Sequence, residues 1–100
     1  MDLDTIVRCL AQHRQRATYG AVAAVLGVRS SGAGVMRGRP QDHLNSWVVS
    51  QKEHRPTKYS AAQVDPELEH VPFVIGDEET LRRWLSTRIP PSAPADPATP

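Results

Sequence analysis

Nucleophilic or metal chemistry in this chain would have to start from one cysteine, Cys9, and four histidines, His13, His43, His54 and His70. A catalytic thiol needs a base within hydrogen-bond reach, and no histidine or basic partner stands at a recognisable spacing from Cys9, so a core or boundary thiol is expected. The four imidazoles lack metal-ligand spacing and read as surface or boundary side chains. Ser30, Ser31 and Ser46 have no acyl-transfer motif around them. Arg37-Gly38-Arg39, with Gly32 and Gly34 before it, lacks the preceding strand and the Lys-Ser/Thr ending of a phosphate-binding loop. No enzyme class and no cofactor emerge.

What the residues offer instead is sorted charge. The net charge is only +1, yet residues 29–58 hold six basic groups (Arg29, Arg37, Arg39, Lys52, Arg55, Lys58) against two acidic ones. Residues 59–100 hold three basic and seven acidic groups. A neutral total hiding a basic middle suggests a face for a polyanion; a solvated surface with chance clustering is the plainer alternative. At 100 residues and 39% hydrophobic content the chain suits one small domain. No apolar run is long enough to cross a bilayer and no signal-peptide core opens the chain, so a cytoplasmic protein is expected, nucleoid-associated if it binds DNA. One unpaired cysteine agrees with a reducing compartment.

The elements that must position these cations follow from periodicity and caps. Leu3, Ile6, Val7, Leu10 and Ala11 predict an amphipathic helix over 3–13, capped by Asp2 or Asp4. Thr18 is an N-cap for a helix carrying Val22, Ala23 and Leu26 inward, and Gly27 is its C-cap. Val28-Arg29 makes a turn, and Ser30 or Ser31 caps a second short helix running to about Arg37, ended by Gly38 and Pro40. Two helices so joined form a helix-turn-helix. Gly32 and Gly34 weaken the second helix by about 1 kcal/mol each, which close approach to a neighbouring helix or a nucleic-acid backbone would offset. Trp47-Val48-Val49 and Thr57-Lys58-Tyr59 predict a β-hairpin wing with Lys52, Arg55 and Lys58 on it. Asp65-Pro66 opens one helical turn, Val71–Ile75 is an edge strand, and Asp77 to Arg88 is a last helix with Leu81, Trp84 and Leu85 buried. The Pro/Ala-rich residues 90–100 are set aside as a disordered tail.

The run Thr18-Tyr19-Gly20-Ala21-Val22-Ala23, then Leu26-Gly27, then Gly34-Val35-Met36-Arg37-Gly38-Arg39-Pro40, resembles the DNA-binding domain of the alkylguanine-DNA alkyltransferases and of the non-enzymatic alkyltransferase-like proteins. In that family a Met-Arg-Gly-Asn-Pro type sequence precedes a Pro-Cys-His-Arg-Val-Val type motif, where Trp47-Val48-Val49 stands here. The resemblance spans roughly residues 3–59. Alkyl transfer needs the motif's thiolate, and the Cys position holds Asn45 if the valines are aligned or Trp47 if no gap is allowed. The resemblance therefore implies a non-catalytic relative. Alkyltransferase-like proteins keep an arginine on the recognition helix that replaces a flipped base in the stack. Counted from Met36, that position is Ser30, with Arg29 beside it.

The reading is an α+β winged helix-turn-helix domain over residues 1–89, with a three-helix core, a hairpin wing and a C-terminal helix, followed by the tail of 90–100. With Ser30 at the arginine's position, general duplex binding is favoured over base flipping: the expected function is non-catalytic double-stranded DNA binding, with damage recognition as a further option. Expected contacts are Thr18, Tyr19, Arg29, Ser30, Ser31, Arg37 and Arg39 around the second helix, and Lys52, Arg55 and Lys58 on the wing. Trp47 either stacks on a base or fills the core beneath the wing. The competing reading is a protein-interaction module or transcriptional regulator that kept the fold without alkyl-lesion recognition.

Overall fold

Apolar residues at helical spacing and an aspartate just ahead of them make the first helix. The computed structural model of the chain describes residues 2–29 and 32–89, and α1 spans Leu3–His13. Asp2 Oδ1 accepts from the Thr5 N–H at 2.9 Å, satisfying one of the orphan donors of the first turn. Ile6, Val7 and Leu10 are fully buried. Arg14 ends α1 in the left-handed region (φ 52), and its N–H closes onto the carbonyls of Ala11 and Leu10.

That turn feeds a strand that the sequence did not announce, β1 (Arg16–Thr18). It is the centre of a three-stranded sheet in the order β2-β1-β3, with β2 at Val48–Val49 and β3 at Val74–Ile75. Both pairings are parallel: Ala17 lies opposite Val48 on one side and opposite Ile75 on the other. Strand β3 is an edge, as Pro72 suggested, although Pro72 precedes it.

The hairpin wing is not formed. Val48 and Val49 are both wholly buried, the pattern of a parallel strand covered on both faces, and they pair with β1 and not with Thr57-Lys58-Tyr59. Residues 50–60 are a succession of turns, with buried Pro56 at their middle. His54 and Lys58 take left-handed backbone (φ 59 and 63), which no strand accommodates.

Helix α2 (Tyr19–Leu26) follows β1 without a linker. Thr18 Oγ1 accepts from the Ala21 N–H at 3.1 Å, and Gly27 caps the other end. The second helix of the expected pair is shorter and tighter: five residues, Gly32–Met36, form a 3₁₀ turn in place of an α-helix to Arg37. Gly32 opens the segment in the left-handed region, at φ 56. The caps proposed for it, Ser30 and Ser31, lie outside the described residues.

A 3₁₀ turn at Leu44–Trp47 leads into β2, and Asp65 caps another at Pro66–His70 with Pro66 in the first position. Asp77 Oδ2 accepts from the Thr80 N–H at 2.9 Å and starts α3 (Glu78–Arg88). Helix α3 packs on α2, α2 on the Gly32–Met36 turn, and α1 on the Leu44–Trp47 turn. Trp47, Leu68, Leu81 and Leu85 join Ile6 and Leu10 in one core. The domain is thus α+β, with three α-helices around a small parallel sheet, in place of a three-helix core carrying an antiparallel wing. No described helix is long and apolar enough to cross a membrane.

Candidate nucleic-acid interface

Where β1 passes into α2, a cleft of about 450 Å³ opens between the start of the helix, the loop after Met36 and the turns at 57–59. Tyr19, the first residue of α2, forms one wall, and its phenol oxygen accepts from the Thr57 N–H at 2.7 Å. That bond ties the helix to the loop where the wing was expected. Met36, Arg37, Gly38, Arg39 and Gln41 form the opposite wall, with Gly38 at φ 88 reversing the chain between the two arginines. Gln41 Nε2 donates to the Lys58 carbonyl at 3.3 Å and closes the rim.

Val48 and Asn45 also line the cleft. Asn45 is 1% exposed and saturated with bonds: its N–H and Nδ2 both donate to Asp42 Oδ1, at 3.0 and 2.8 Å. Its Oδ1 accepts from Arg39 Nε at 2.5 Å. Arg39 Nη2 reaches Asp4 of α1 at 3.2 Å, and Arg8 bonds the other Asp4 oxygen at 2.7 Å. Arg8, with Arg39 behind it, holds the Asp4 carboxyl below the ordinary range. Tyr59 completes the lining, with its O–H 3.5 Å from the Pro40 carbonyl. Burial, with Asp42 nearby, pushes its phenol up to about 12, so it stays protonated and able to donate.

Three of the anticipated contacts meet here: Tyr19, Arg37 and Arg39. Arg37 is exposed and has no side-chain partner among the described residues. Arg39 is instead committed to Asn45 and Asp4, so its role as a free phosphate contact is corrected to that of a cleft wall. Lys58 is exposed between two cleft residues. Arg29 is exposed just past α2, and Lys52 is exposed on the 50–55 turns. Arg55 pairs with Glu69 at 2.7 Å and borders a different depression, alongside His43 and Pro66.

Two expected contacts belong to the interior. Thr18 is 1% exposed and spends its hydroxyl on capping α2. Trp47 is also 1% exposed, so of its two readings the core is the one realised; an indole buried there reaches no base. Ser30 and Ser31 lie outside the described residues.

Sequence reasoning also passed over residues that shape the site. Asn45, Gln41, Met36, Thr57 and Tyr59 were not named as lining. Asn45 carried a readable signal, since an aspartate three residues ahead of it is a capping spacing. Arg16 opens β1. Its guanidinium bridges loops by donating Nη1 to the His54 carbonyl at 3.0 Å and Nη2 to the Val71 carbonyl.

Cys9 is buried, as expected of a core thiol, but the premise that no histidine stands near it needs a correction. His13, one turn on, puts Nδ1 3.8 Å from the thiol. The pair still makes a poor nucleophile, because burial raises the thiol's pKa and leaves little thiolate. Among the described residues no three His, Cys, Asp or Glu side chains gather closely enough to hold a metal ion.

Compared with family models, with curated proteins and with solved structures, the chain matches none.

Proposed function

We propose that this chain is a non-catalytic DNA-binding protein, related in manner to the alkyltransferase-like proteins, whose cleft receives one unstacked nucleotide of a damaged or distorted duplex. The observation that carries the reading is the lining of that cleft: two arginines, two phenols and two carboxamides, with no carboxylate among them. Such a wall attracts phosphate and hydrogen-bonding base edges. Arg37 and Lys58 border it, and Arg29 and Lys52 add exposed cations to the same basic middle of the chain. The cleft's size suits a small planar ligand. Helix α2, its turn and the Gly32–Met36 segment take the part of a helix-turn-helix, and the 50–59 turns take the part of a wing. Asn45 or Trp47 at the position of the family's nucleophile, and Cys9 buried on α1, support binding without alkyl transfer.

A second reading, a protein-interaction module or regulator on the same scaffold, is favoured by Phe73, 74% exposed beside the edge strand β3. Duplex binding measured for single variants separates the two. Arg37→Ala should weaken DNA binding about five- to tenfold, on the scale of one good arginine contact. Arg83→Ala, which removes a charge already paired with Glu79 at 2.6 Å, should change it little. Equal effects of the two, or no duplex binding by the unaltered chain, would favour the second reading.

A further inference from the structure

Resting on the reading that a base enters the cleft, we infer that the cleft selects by charge and hydrogen-bond polarity: it takes a base whose edge presents acceptors, such as the deaminated purine xanthine, and turns away bases made cationic by N-alkylation. Among the described residues two uncommitted donors face a ligand there, the Arg37 guanidinium and the Tyr19 hydroxyl. Arg37 has an uncommitted guanidinium among the described residues, whose parallel N–H groups match a carbonyl beside a ring nitrogen. The Tyr19 oxygen already accepts from Thr57, so its own proton is the part left to give. Tyr59 stays protonated and gives that proton to the Pro40 carbonyl at 3.5 Å.

The open acceptors, Gln41 Oε1 and the Tyr59 oxygen, are both neutral, so the lining offers a cation no counter-charge. The Asn45 carbonyl is taken by Arg39, and the Asp42 carboxylate beside it is turned onto the Asn45 amide and backbone. Arg39 and Arg8 share the single Asp4 carboxylate, which leaves one positive charge unmatched, and Arg37 and Lys58 add theirs at the rim. A deaminated purine replaces an exocyclic amine with a second carbonyl and gains a partner for these donors. An N7-methylated guanine carries a positive charge and loses the acceptor nitrogen that a guanidinium would read.

Fluorescence anisotropy with the whole chain tests this, using duplexes identical except for one central position: guanine, xanthine, N7-methylguanine or an abasic site. Xanthine should bind several-fold more tightly than guanine, and N7-methylguanine about tenfold more weakly, the scale of one bidentate arginine contact. In Arg37→Gln, with its fold checked by thermal melting, the ratio between xanthine and N7-methylguanine should shrink. If the abasic duplex differs from guanine but xanthine binds more weakly than guanine, or N7-methylguanine binds as tightly, the selectivity is wrong while base entry stands. If all four bind within twofold of one another, no base enters and both readings fall. An unchanged ratio in Arg37→Gln removes the assignment to that arginine.

Discussion

Single side chains in this protein do two jobs at once. Tyr19 opens α2 and also accepts the Thr57 N–H across the cleft. Tyr19→Phe leaves that donor without its partner and should cost about 1 kcal/mol, read as a lower urea midpoint with an unchanged slope. An unaltered midpoint would show that the bond contributes nothing. Lys58 carries a different burden. Its left-handed backbone disfavours any side chain, so Lys58→Gly should stabilise the domain by up to about 1 kcal/mol in the same measurement. The lysine's charge at the cleft rim is then lost, and DNA binding should weaken even as stability rises. A variant less stable than the parent would show that the turn is not strained.

Elements here are held by their ends. Asp2 and Asp77 cap α1 and α3, and hydrogen bonds to their carboxylates keep both pKa values below the ordinary value. Asp4, between Arg8 and Arg39, is lowered as well. A carboxylate depressed in the folded state stabilises the fold above its unfolded pKa and loses that effect as pH falls through the folded value. The melting temperature should therefore hold from pH 7 to near pH 4 and fall below it. Asp2→Asn with Asp77→Asn should flatten that fall, and an unaltered fall would place its origin elsewhere.

The same caps explain what could be read beforehand. α1, α2, α3 and the Asp65-Pro66 turn announce themselves through a capping residue and short-range periodicity, and all were legible with near-correct bounds. Strand β1 was not, because Arg16–Thr18 has no period to detect and owes its conformation to partners more than thirty residues away. The missing wing has the same cause: Val48-Val49 looks like a strand in any context, and only the fold decides that its neighbour is parallel β1. At the cleft, Tyr19, Arg37 and Arg39 were legible from residue type and position. Asn45 offered only the aspartate three residues ahead of it, and Tyr59 offered nothing, since its place beside Pro40 is set by the fold.

At the scale of the molecule, a parallel sheet of seven residues is framed by three helices, and the connections around β1 leave a cleft at its C-terminal end. Ligand clefts outside the carboxyl ends of parallel strands arise where connections part to opposite sides, and β1 is such a point, with β2 on one flank and β3 on the other. The most direct test of the account is the salt dependence of duplex binding by the whole chain. With Arg29, Lys52 and Lys58 as its phosphate contacts, log K should fall against log salt with a slope of about −3. A slope near zero, or no binding at low salt, would contradict it.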